Sequence, residues 1–149
     1  MSQKKFQPQT AEVITHKRGR LRFTDFSIQR NPHGDCTVEV ELEWTEGDRV
    51  RGRSTGQSSP TLDLRLAAEA ALRAIETFSD GAMGLDLIGV KHVRAFDANV
   101  IIVAIANRKA EGPRRLLGSA LVESDAVHGA VMAVLGATNR VLGNFIATR

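Results

Sequence analysis

Residues 36–45 read Cys36-Thr37-Val38-Glu39-Val40-Glu41-Leu42-Glu43-Trp44-Thr45. Cys36, Val38, Val40, Leu42 and Trp44 alternate with Thr37, Glu39, Glu41 and Glu43. A period of two places the apolar set on one face of a strand and the acidic set on the other. One face is therefore buried and one wet. Glu46-Gly47-Asp48 turns the chain, and Arg49, Arg51 and Arg53 then alternate with Val50 and Gly52. A three-residue loop brings these arginines onto the face of the glutamates, where opposite charges pair across the ladder. The interleaved signs mark a solvated face; they do not suit a nucleic-acid surface.

Upstream, Leu21–Gln29 alternates less regularly and reads as a strand ending at the turn signal Asn31-Pro32-His33-Gly34-Asp35. Downstream, Gly56–Ser59 reads as a loop. Ser59-Pro60 opens a helix, with serine as N-cap and proline at the first helical position. Over Leu62–Phe78, Leu64, Ala67, Ala71, Ile75 and Phe78 form one stripe, and Ser79-Asp80-Gly81 ends it.

The same order recurs. Leu85–Phe96 reads as a strand broken at Gly89, the mark of a bulge. Asp97-Ala98-Asn99 turns, Val100–Asn107 is a strand apolar at nearly every position, and Arg108–Pro113 turns again. Arg115–Val122 is a third strand. Ser124-Asp125 caps a helix over about 126–146. The halves align: Val38–Leu42 with Ile101–Ile105, Gly52 with Gly118, Ser59 with Ser124, and Ala71–Ile75 with Val134–Thr138. The expected fold is α+β: two tandem strand-strand-strand-helix (βββα) units, mainly antiparallel, with helices packed on one face. The first unit spans 21–80 and the second 85–149, within one domain over 21–149. Residues 1–20 read as a basic, flexible arm.

Where the copies differ, a partner is implied. A strand apolar on both faces must be covered on both. The chain's own helices cover one side of Val100–Ala106, and a second subunit is the economical cover for the other. Ile102 and Ala104 are thus expected at a subunit contact. Gly129, Ala130, Ala133, Gly136, Ala137 and Gly143 leave the second helix poor in side chains, so Ala133, Gly136 and Ala137 join that expected interface.

Two βββα units with a glycine on each third strand resemble the C-terminal regulatory domain of 2-isopropylmalate synthase. That family introduces its first helix with a Gly-Pro-x-Asp type segment. Ser59-Pro60-Thr61-Leu62-Asp63 is similar, with one residue more between proline and aspartate. Ala137-Thr138-Asn139-Arg140 is similar to the Ala-Leu-Asn stretch of its second helix. The resemblance covers roughly 22–146 and implies a dimerising domain able to hold a small effector between subunits. Gly118, Ser119, Ser124, Asp125 and His128 are the residues expected at such a site. The family's glycine-rich loop is replaced here by Gly118-Ser119-Ala120-Leu121-Val122-Glu123, with one glycine. The family's catalytic barrel has no counterpart in these 149 residues, so the synthase reaction is not implied.

The bulk composition limits the chemistry. An apolar fraction of 42% and a charged fraction of 25% suit a folded globular chain. The single cysteine, Cys36, excludes an intrachain disulfide and reads as a small core residue. Met1–Lys5 lacks the apolar stretch of a signal peptide, and no apolar run is long enough for a bilayer, so the expected compartment is the cytoplasm. The net charge of +3 is unevenly placed: residues 1–22 hold Lys4, Lys5, Lys17, Arg18, Arg20 and Arg22 against Glu12 alone. A nucleic-acid role would run through this arm, with Lys17, Arg18, Arg20 and Arg22 on phosphates. His16, His33, His92 and His128 show no metal-ligand spacing, and neither a phosphate loop nor a dinucleotide fingerprint occurs, so no cofactor is implied. The enzyme alternative rests on His128 beside Glu123 or Asp125. The leading expectation is a non-catalytic regulatory or assembly domain that forms a symmetric oligomer.

Overall fold

The computed structural model describes residues 20–109 and 114–147, with backbone alone at 140 and 143–147. Strands β1 (Leu21–Arg30), β2 (Asp35–Trp44) and β3 (Arg49–Gln57) precede helix α1 (Pro60–Phe78). Strands β4 (Leu85–Ala95), β5 (Ala98–Asn107) and β6 (Arg115–Leu121) precede helix α2 (Ala126–Ala147). Each triplet forms its own antiparallel sheet, in the orders β1-β2-β3 and β4-β5-β6. The expected α+β fold of two βββα units is what the chain adopts.

The alternation at 36–44 works as the side-chain period requires. Cys36, Val38, Val40, Leu42 and Trp44 are buried against α1, and the residues between them face outward. Trp44 rests on Phe78 of α1, ring centroids 5.0 Å apart. In the second sheet Ile101, Val103 and Ile105 are buried in the same way beneath α2. The bulge expected at Gly89 is present as a register shift between Leu87 and Gly89. Its equivalent in β1, between Phe23 and Asp25, explains why the alternation there looked irregular.

The two aligned glycines share one cause. A Cβ on Gly52 would stand 2.0 Å from the carbonyl oxygen of Ala70 on α1. A Cβ on Gly118 would stand 2.1 Å from that of Ala133 on α2. Both helices lie directly on their third strand, and only glycine permits that approach. Ala133 and Ala137, expected at a subunit contact, are instead buried here: Ala137 lies against Gly118 from the helix side. They serve the chain's own packing. Gly136 is exposed. The caps differ slightly from expectation. Ser59 accepts from the Leu62 amide, as anticipated, but in the second unit Asp125, not Ser124, accepts from the His128 amide.

The units embrace reciprocally. The helices touch each other, and each reaches the first strand of the other unit. Glu76 of α1 accepts from the Leu85 amide at the start of β4. Its counterpart Asn139 of α2 accepts from the Leu21 amide and donates to the Leu21 carbonyl at the start of β1. About three turns earlier, Arg65 donates to the Leu87 carbonyl, and its counterpart His128 lies over Phe23. Equivalent residues therefore make equivalent contacts, which is an approximate two-fold relation inside one chain. Among the described residues no helix is long and apolar enough to cross a membrane.

Candidate functional site

The outer faces of the two sheets, the sides away from the helices, carry the sharpest chemical contrast. On the first sheet, strand register builds three charged rows. Arg22, Glu43 and Arg49 form one, Asp25, Glu41 and Arg51 the next, and Ser27, Glu39 and Arg53 the third. Arg49 donates to Glu43 at 3.0 Å, Arg51 to Glu41 at 3.1 Å and Arg53 to Glu39 at 3.0 Å. Arg22 closes on Glu43 from the other side. The Thr24 hydroxyl, then Arg51, hold the Glu41 carboxyl below the usual carboxylate range. Arg22, then Arg49, do the same for Glu43. The arginines lie over the glutamates, so this face is wet and neutralised within itself.

On the second sheet the same rows lose their carboxylates along the centre and keep charge only toward the edges, at Asp86, Lys91 and Arg115. Register gives the rows Asp86–Ala106–Arg115, Gly89–Ala104–Leu117, Lys91–Ile102–Ser119 and Val93–Val100–Leu121. Glu39, Glu41 and Glu43 are replaced by Ile102, Ala104 and Ala106. Arg51 becomes Leu117, and Thr55 becomes Leu121. Leu117 is 69% exposed, Leu121 59%, Ile88 45% and Ile102 39%. At the β4–β5 hairpin tip Phe96 is fully exposed. Solitary exposed apolar residues are ordinary; a contiguous face of them marks a surface meant to be covered.

The expected contact residues Ile102 and Ala104 lie at the centre of this face. The residues expected to hold an effector fall in two places, on β6 and at the start of α2. Gly118 faces α2, whereas Ser119 is on the outer side of the sheet. Ser124 and Asp125 sit exposed before α2, and Asp125 is engaged in capping. His128 rests on Phe23 with centroids 4.9 Å apart, and its imidazole makes no hydrogen bond among the described residues. Glu123 is exposed. Among the described residues no three His, Cys, Asp or Glu side chains are placed to hold a metal ion. Of the arm residues, Lys17 and Arg18 lie outside the described residues. The Arg20 amide donates to Thr45, and Arg22 is committed to Glu43.

Leu117, Leu121, Ile88 and Phe96 were not singled out from the sequence as surface residues. Adjacent Leu116 and Leu117 hold the signal, since neighbours on a strand face opposite ways. No family model matches this chain, and no curated protein matches it.

Proposed function

We propose that this chain is an assembly domain, working as a symmetric dimer held through the outer face of its second sheet. The observation that carries this reading is the contrast between equivalent positions. Within one chain and one fold, the first outer face carries a central row of glutamates, and the second replaces them with Ile102, Ala104 and Ala106 and exposes Leu117 and Leu121 beside them. A general bias toward apolar residues would affect both. A role in joining copies needs no catalytic groups. Regulation by a small effector held between copies would add to this role.

A large aliphatic side chain taken fully out of water contributes about 1.5–3 kcal/mol. A charge placed among such residues in a closed contact opposes association strongly. The native chain is expected to run as a dimer at micromolar concentration in light scattering and sedimentation. Leu117→Glu, which restores the polarity of the first sheet, is expected to yield a folded monomer with unchanged circular dichroism. A native chain that is monomeric across that concentration range would refute the reading.

A further inference from the structure

We infer that the second sheet meets the same sheet of another copy about a two-fold axis running along β5, so that β4 of each copy covers β6 of the other. This rests on the assembly reading above and specifies its geometry. Three strands at about 4.8 Å spacing, with roughly nine residues each at about 3.3 Å, make a face of roughly 430 Å². Two such faces, with side-chain relief added, reach the roughly 1,000 Å² that a specific contact needs. A second copy is therefore an occupant of the right size. The chemistry of the face then selects the arrangement.

Sheets that stack face to face with strands aligned can be related by a two-fold axis along the strands or across them. With the axis along β5, each row meets itself reversed. Asp86 faces Arg115, Gly89 faces Leu117, Lys91 faces Ser119 and Val93 faces Leu121. Every one of these encounters is complementary. Arg115 makes no ion pair among the described residues. Asp86 receives Arg108 at 3.0 and 3.2 Å yet keeps half its side chain exposed. A Cβ on Gly89 would meet nothing within 4 Å, so the strand has an open notch there. Leu117, the most exposed aliphatic residue of the face, is the knob that fits it.

With the axis across the strands, β4 covers β4. Centred between the Gly89 and Lys91 rows, that arrangement sets Asp86 on Val93 and Arg115 on Leu121, each charge against an aliphatic side chain; centred on the Lys91 row, it sets Lys91 on Lys91. Slid to the Gly89 row it matches Asp86 with Lys91, but Leu117 then strikes Leu117 and the Val93–Val100–Leu121 row is left in water. Like charges across a closed contact, and charges buried there without a partner, each cost several kcal/mol, so the lengthwise axis is favoured.

Two pairs of complementary variants test this, each made in separate copies of the full chain and mixed. Asp86→Arg and Arg115→Asp each oppose their own homodimer and restore each other in the mixed dimer. Gly89→Leu and Leu117→Ala do the same by volume, without using charge; a side chain at Gly89 enters open space and Leu117 is exposed, and the fold of both variants is checked by circular dichroism. Native mass spectrometry, with one copy mass-tagged, reads the fraction of mixed dimer. The expected result is homodimers weakened about tenfold and mixed dimers in excess of the statistical half for both pairs. A native dimer with no excess of mixed species in either pair overturns this geometry and leaves the assembly reading standing. A native chain that is monomeric overturns both.

Discussion

Phe96 breaks two local rules at once. It is fully exposed, and with Asp97 it occupies a two-residue hairpin loop at φ 54° and 61°. Paired positive φ values belong to a type I′ turn, which favours Asn-Gly or Asp-Gly. A left-handed backbone costs a residue with a Cβ roughly 1–2 kcal/mol. Phe96→Gly is thus expected to raise the unfolding free energy by about 1 kcal/mol in urea titrations, and an unchanged or lower value would mean that the ring makes a contact worth keeping. The sequence announces a turn one residue later, at Asp97-Ala98-Asn99, because alternation runs on through Phe96 and places it at the end of a strand; the loop is Phe96-Asp97, with Ala95 paired to Ala98. Legibility at this scale followed the surroundings. Cys36, Val38, Val40, Leu42 and Trp44 declare their face because their neighbours are charged. Ala133 and Ala137 did not, because a small residue reads alike whether its own sheet or another chain approaches it.

Elements were legible in order and type, and their joints were not. The βββα order, the bulge at Gly89 and the Ser59 cap could all be read, since each depends on a few adjacent residues. The lock between β1 and α1 could not. Arg30 at the end of β1 donates to buried Asp63 at 2.8 Å, and the Ser58 hydroxyl donates to its other oxygen at 2.9 Å. Burial opposes ionisation of Asp63, but the hydrogen bonds from Arg30 and Ser58 and the charge of Arg30 outweigh it, and its pKa is lowered. The second unit has no such lock: the position matching Asp63 is Ala126. A carboxyl with a depressed folded pKa stabilises above its unfolded value, about 3.9, and loses that contribution as pH falls through the folded value. Asp63→Asn is therefore expected to cost about 1–3 kcal/mol at pH 7. In urea titrations over a pH series, the gap between native and variant stability should be full above about pH 5 and close as pH falls below 4. A gap independent of pH would assign the loss to packing instead.

At the scale of the whole molecule, the internal two-fold relation decides whether the units fold apart or together. A tandem repeat alone does not settle that, because element order says nothing about contacts between copies. The contacts do. Glu76 holds the first residue of β4, Asn139 holds the first residue of β1, and the helices lie on one another. Each unit begins on a hydrogen bond supplied by the other, so neither sheet is complete alone. Two-state unfolding follows for a domain of this size and connectivity. The one tryptophan, Trp44, makes this testable because it belongs wholly to the first unit, buried against Phe78. Far-ultraviolet circular dichroism reports on both units. Gly118→Ala strikes the second unit, where the new methyl would collide with backbone of α2. Overpacking of this kind costs typically about 1–3 kcal/mol. In a coupled molecule the Trp44 fluorescence transition must move to lower urea by the same amount as the dichroism transition. If Trp44 kept its native midpoint while dichroism lost only part of its signal early, the units would be independent, and the reciprocal bonds would be ornaments on two separate folds. The equivalent change in the first unit, Gly52→Ala, is expected to shift both signals together as well, since α1 lies on β3 in the way that α2 lies on β6.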